Sequence, residues 1–129
     1  VEQSEPLFVQ VANFIEEQII SGALVEGAQA PSTNELAAFY RINPATAAKG
    51  INLLAQRSIL YKQRGVGMFV AKGARGTLLE ERRVTFSKTY VKPLVEEARA
   101  LELSDKQVLE MVKDELGEVD ASFRIGVNV

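Results

Sequence analysis

The sequence predicts a mainly α-helical fold with one small β-hairpin, and three observations carry that prediction. Two helix-start signals stand so close together that only a tight turn fits between the helices they open. Directly after the second of these helices, two short strand-like runs flank a glycine-containing reversal. Beyond a glycine-rich break the chain returns to helical periodicity and opens a further helix with its own cap. Together these describe a winged helix-turn-helix followed by a two-helix segment.

The first helix is read from Leu7, Phe8, Val11, Phe14, Ile15 and Ile19, which recur at three- and four-residue steps over about 6–21. Pro6 suits its first turn and Gly22 its end. Ser32-Thr33-Asn34-Glu35 fits a capping box, in which the serine hydroxyl takes an orphan N–H and the glutamate reaches back, so a second helix starts at Ser32 with Leu36, Ala37 and Tyr40 inward. Asn43 then caps a third helix with Pro44 in its first position. Its inner face is Ala47, Gly50, Ile51 and Leu54, the glycine permitting close approach of the first helix. The runs 59–63 and 68–71 read as strands joined by Arg64-Gly65-Val66-Gly67, a wing. Gly73-Ala74-Arg75-Gly76 reads as a linker. A long helix is expected over about 78–102, kinked at Pro93, which removes a backbone bond. Ser104-Asp105-Lys106-Gln107 is a second capping box, opening a last helix with Val108, Leu109, Met111, Val112 and Leu116 as its apolar stripe. Residues 118–129, with alternating Phe123, Ile125, Val127 and Val129, are left unassigned. The expected division is therefore 1–76 as the winged domain, 77–117 as a helical segment and 118–129 as a tail.

The 129 residues, 47% of them hydrophobic, suffice for one ordinary domain or a small domain with an appendage. No apolar run would span a bilayer, and the N-terminus lacks the basic-then-apolar layout of a signal peptide, so a cytoplasmic protein without membrane association is expected. With no Cys and no His, thiol nucleophiles, imidazole acid-base groups and the usual soft-metal sites are excluded. No catalysis, metal or cofactor is expected. Glu80-Glu81 and Glu96-Glu97 are neighbours on a helix and cannot face one another as an acid-base couple. Gly65-Val66-Gly67 lacks the third glycine and the following helix of a nucleotide-binding loop.

The net charge of −2 conceals a segregation. From Leu36 to Leu79 there is no Asp or Glu, while Arg41, Lys49, Arg57, Lys62, Arg64, Lys72 and Arg75 contribute +7. Residues 77–129 carry 8 basic and 11 acidic groups. A basic stretch between acidic ones suits phosphates. Within it, a helix laid in the major groove would present Asn43, Ala45, Thr46 and Lys49 to base edges. Lys49 can reach a guanine edge or a phosphate, Thr46 a phosphate or a thymine methyl, and Ala45 only a methyl, while Asn43 can equally serve as a cap. Ser32 and Thr33 offer hydroxyls beside free N–H groups, a phosphate clamp or simple capping. Lys62, Gln63 and Arg64, with Gly65 and Gly67 shaping the tip, would enter the minor groove or ride the backbone. In the helical segment, Tyr90, Val91, Leu94, Val95, Ala98, Val108, Leu109 and Val112 offer more apolar surface than two helices can hide alone, and a second copy of the chain is the obvious partner.

The runs Gly27-Ala28-Gln29-Ala30-Pro31-Ser32-Thr33-Asn34-Glu35-Leu36-Ala37, Ile42-Asn43-Pro44-Ala45-Thr46-Ala47 and Gly65-Val66-Gly67-Met68-Phe69-Val70 together resemble the GntR winged-helix repressors over about residues 6–71. The short remainder is similar to that of the YtrA-like subfamily, whose two C-terminal helices mediate dimerisation. The resemblance implies a homodimeric, sequence-specific DNA-binding regulator, a repressor acting on a roughly palindromic operator and often on transporter genes. Asn34 stands where many relatives have arginine, Asn43-Pro44 where many have a Ser-Arg pair, and Ala48 at another position often arginine, whereas Lys49 fits the pattern. Base readout is therefore thinner than in those relatives, and the wing and DNA shape carry more of the operator choice. A winged-helix module that docks on protein without nucleic acid is the alternative; the acid-free stretch is a feature such a module has no need of. An enzyme fragment, such as one from an aminotransferase fusion, is disfavoured by the capped two-helix tail. The sequence names neither operator nor effector.

Overall fold

The computed structural model describes residues 5–127, with side chains through residue 117. Its elements are α1 (Leu7–Ser21), α2 (Thr33–Tyr40), α3 (Pro44–Gln56), β1 (Leu60–Gln63), β2 (Gly67–Val70), α4 (Ala74–Phe86), a π-helical turn (Ser87–Val91), α5 (Lys92–Ala100) and α6 (Asp105–Val127). No helix among the described residues is long and apolar enough to cross a membrane. Contacts divide the chain into two units, Val1–Arg83 and Val84–Val129.

In the first unit, Val11, Ile15 and Ile19 of α1 pack with Leu36, Ile51 and Leu54 into one core, closed below by Ile59, Leu60 and Val70 of the wing. Pro6 caps α1 at its start and Gly22, at φ 89°, ends it. Gly50 is buried where α3 meets α1: a Cβ there would lie 2.6 Å from the Phe8 carbonyl oxygen and 3.0 Å from Val11. Glycine is thus what sets the separation of these two helices.

The wing is a β1–β2 hairpin whose register pairs Leu60 with Val70 and Gln63 with Gly67. The reversal is one residue tighter than the sequence suggests, because Gly67 already belongs to β2 and Val66 N–H closes onto Gln63 O at 2.9 Å. A third extended segment was not foreseen. Ala30 N–H donates to Met68 O and Val70 N–H to Ala28 O, so residues 27–30 run beside β2.

The linker expected at 73–76 is instead the start of α4. Gly73, at φ 83°, turns the chain, Thr77 N–H bonds to Gly73 O at 3.0 Å, and Ala74 and Leu78 are buried in the core. Two glycines suggested a break, but the intervening alanine fills a core position and tertiary burial overrides local propensity. Arg75 likewise turns back, its Nε donating to Ile20 O at 2.9 Å.

In place of one kinked helix over 78–102, the chain forms α4, the π-turn and α5. Pro93 has no N–H for the carbonyl four residues before it. Just ahead of it the ladder widens, Lys92 N–H donating to Ser87 O five residues back. The second unit continues as a helical hairpin. Glu102, at φ 59°, turns the chain, Leu103 N–H returns to Ala98 O at 3.0 Å, and Ser104 and Gln107 form the expected box at 2.8 and 3.1 Å. Val129 and the side chains of Phe123, Ile125 and Val127 lie outside the described residues.

Candidate nucleic-acid interface

Both helices of the helix-turn-helix start at a side-chain cap, and the short turn between them is closed by Arg41 in the left-handed region, its backbone N–H donating to Ala37 O. Ser32 Oγ accepts from Glu35 N–H at 3.0 Å, and Glu35 Oε1 accepts from Ser32 N–H at 2.8 Å. Ser32 keeps its hydroxyl proton, and the N–H groups of Thr33 and Asn34 point from the helix end, where an anion is favoured. Arg41 ends α2 in the left-handed region at φ 58° and exposes its guanidinium in the turn. Asn43 Oδ1 accepts from Ala45 N–H at 2.7 Å, so its carbonyl is committed to capping α3 and only its amide protons remain for a partner.

The first turns of α3 expose Asn43, Ala45 and Lys49, with Thr46 half-buried behind them. The Lys49 ammonium rests 4.2 Å above the Phe8 ring of α1, a cation–π contact that parks it against the protein. On the wing, Lys62, Gln63, Arg64 and Gly65 are exposed and Gly67 is half-buried. Sequence reasoning missed the brace behind the tip: Gln29 Nε2 donates to Val66 O at 3.0 Å. A Cβ on Gly67 would lie 2.5 Å from that same nitrogen, and Gly67 sits at φ 146°. The clue was the Ala28-Gln29-Ala30 run, whose alternation is too short to read as a strand.

The basic footprint is smaller than the charge pattern implies. Arg57, at the end of α3, bonds Glu16 at 2.5 Å and Glu81 at 2.6 Å, and Arg75 is spent on the Ile20 carbonyl. The hydrogen bond to Glu16 holds the Arg57 guanidinium above its ordinary range, so it stays charged but neutralised internally. Arg41, Lys49, Lys62, Arg64 and Lys72 are left exposed, with no ion pair to an acid among the described residues.

Of the residues expected at a dimer contact, Tyr90, Val91, Leu94, Leu109 and Val112 are exposed, while Val95 and Val108 are half-buried. Ala98 is already 93% covered within the single chain, so it supports the hairpin and offers no free surface.

Residues 7–70 match the family described as bacterial regulatory proteins, gntR family. The chain is 28% identical over 111 residues to the HTH-type transcriptional repressor YtrA of Bacillus subtilis (strain 168), covering 86% of this chain and 85% of that protein. A putative transcriptional regulator of the GntR family from Bacteroides thetaiotaomicron superposes with a TM-score of 0.67 at 26% identity, over 88% of this chain and 98% of its own. The DNA-binding domain of AraR, solved in complex with operator ORX1, superposes with a TM-score of 0.52 at 31% identity, over 55% of this chain and 86% of that one.

Proposed function

The chain belongs, through residues 7–70, to the gntR family of bacterial regulatory proteins and is a transcriptional regulator with a winged helix-turn-helix DNA-binding domain, and from that premise we propose that it acts as a homodimeric repressor on a roughly palindromic operator. The observation that carries the reading is the exposed surface of α3, the wing and their flanks, where Arg41, Lys49, Lys62, Arg64 and Lys72 make no ion pair to an acid among the described residues. A major groove accepts an α-helix, and the cap residue Asn43 with Ala45, half-buried Thr46 and Lys49 at the start of α3 are the residues that would meet base edges. Ser32, Thr33 and Asn34 at the start of α2 would hold a phosphate, while Lys62, Gln63, Arg64, Gly65 and Gly67 would carry the wing along the backbone or into the minor groove. Dimer contacts come from the segment 77–117, where Tyr90, Leu94 and Leu109 are 64%, 44% and 67% exposed, an amount of apolar surface that calls for a partner. The relative named a repressor and the domain solved on its operator support the repressor and operator-binding parts of the reading. The work is cytoplasmic, where the DNA is.

Footprinting on the region upstream of the chain's own gene tests it. The expected result is a protected site with twofold symmetry, its half-site centres about 10 bp or a multiple apart. Binding no tighter than to random duplex at any site would turn the reading toward a protein-docking module.

A further inference from the structure

The first unit holds a cleft that the DNA-binding reading does not use. It lies between the second half of α1, the segment that follows it and α2, and its volume of about 640 Å³ is that of a small-molecule site. Its walls are aromatic: the Phe14 and Phe39 rings stand 5.8 Å apart, centre to centre, and tilt by 30°. Phe39 is 69% exposed, while half-buried Leu24 and buried Leu36 line the same cleft, so a guest's ring would gain apolar contact on several sides. The charge in the cleft is of one sign. Among the described residues no lysine or arginine lines it, and Glu35 is its one charged residue. Glu35 Oε1 accepts Ser32 N–H at 2.8 Å, whereas Oε2 accepts no hydrogen bond among the described residues.

These features select a guest. Aromatic faces attract cations and accept offset rings. A carboxylate oxygen with a vacant lone pair takes an ammonium N–H as a charge-assisted hydrogen bond. An anion would meet Glu35 with no compensating cation, and a neutral ring would leave that oxygen unused. The rim also belongs to the DNA-facing surface. Ser32 caps α2 where a phosphate would sit, and Gln29 in the wall braces the wing tip through Val66 O at 3.0 Å. An ammonium that draws the Glu35 carboxylate off Ser32 N–H loosens this cap, and the resulting coupling between amine and DNA is reciprocal.

We propose that the cleft between α1 and α2 binds a small arylalkyl amine in its cationic form, its ring against Phe14 and Phe39 and its ammonium on Glu35, and that the bound amine weakens operator binding. The effect on operator binding rests on the reading above; the site itself does not.

The probe is tryptamine, titrated into the full chain and followed by backbone amide shifts, with tryptophol and indole-3-acetate as its neutral and anionic counterparts. Tryptamine is expected to bind with a Kd of about 1 mM, moving the amides of Leu24, Ser32 and Glu35, and the counterparts about tenfold more weakly. Glu35→Gln still completes the capping box but removes the charge, so the fold should hold while tryptamine binding falls by about tenfold. Phe39→Ala should lower it by about fivefold, and Phe39→Leu, which loses the ring but keeps the bulk, serves if the alanine variant does not fold. Saturating tryptamine should weaken binding to a duplex recovered by selection from a random pool by about fivefold. Glu35→Gln should lose most of that effect, which separates it from an action of the amine on the DNA. Equal binding of the three probes, shifts confined to other residues, or no saturable shift by about 10 mM overturns the site and the coupling with it. Tryptamine binding in the cleft that leaves affinity for the selected duplex unchanged overturns the coupling alone. Failure to select any duplex overturns the operator reading and the coupling, and amide shifts in the cleft then support the site by themselves.

Discussion

Lys49 shows how a side chain can be both packed and available. Its ammonium lies 4.2 Å from the Phe8 ring, yet the residue is exposed on the first turns of α3. An exposed cation–π contact is worth about 0.5–1 kcal/mol, less than one good contact to a base edge, so DNA can draw the lysine away. Lys49→Ala is expected to weaken operator binding by about 1–3 kcal/mol while shifting the melting temperature only slightly. Competition binding against random duplex checks this, since equal loss on both DNAs would mean that Lys49 touches phosphate only. Gly50, next along α3, behaves oppositely. Its missing side chain lets the Phe8 carbonyl approach to 2.6 Å of where a Cβ would be, and that neighbour is backbone and cannot swing aside. Gly50→Ala should therefore cost about 1–3 kcal/mol of stability despite alanine's better helix propensity, read as a lower midpoint in urea unfolding.

At the level of elements, the helices were legible wherever a side chain announces an end. The boxes at Ser32–Glu35 and Ser104–Gln107, and Asn43 followed by Pro44, all form as their residue types demand. Such signals are local, and so they survive in the sequence. What was not legible depended on distant partners. Ala74 looks like linker until the core that receives it is known, and Gln29 forms a bridge only because Phe69 of β2 lies alongside. Arg57 and Arg75 counted as DNA-facing charge because sequence cannot tell an outward guanidinium from one folded onto Glu16 or a carbonyl. The wing illustrates the cost of the hidden contact. Gln29→Ala would remove the bond to Val66 O and leave the tip backbone unbraced, so operator affinity should fall by about 0.5–1.5 kcal/mol with little loss of fold, measurable by fluorescence anisotropy beside a thermal melt.

For the whole molecule, the five exposed cations that lack an acidic partner among the described residues make the salt response a direct check on the DNA reading. If a dimer neutralises about six phosphates, log K should fall against log salt with a slope of about −5, and a slope near zero would remove the electrostatic argument. The dimer itself is tested by truncation, and the structure moves the place to cut. Ending the chain after Gly76 would strip Leu78 from the core, whereas ending it after Arg83 preserves the whole first unit. If each half-site binds at about 10 μM and the tether gives a local concentration near 1 mM, the dimer reaches about 0.1 μM, and the shortened chain should lose that roughly hundredfold gain. Scattering and band shifts on both lengths measure it.

The partition of charge also governs how the protein behaves on a column. With a formal net charge of −2 and a sequence isoelectric point near 5.3, its overall charge ranks it among proteins that a cationic resin retains at neutral pH. Arg41, Lys49, Lys62, Arg64 and Lys72 belong to an acid-free stretch, so a polyanionic matrix such as heparin should retain it as well. A purification that relies on isoelectric point alone would carry bound nucleic acid through with the protein.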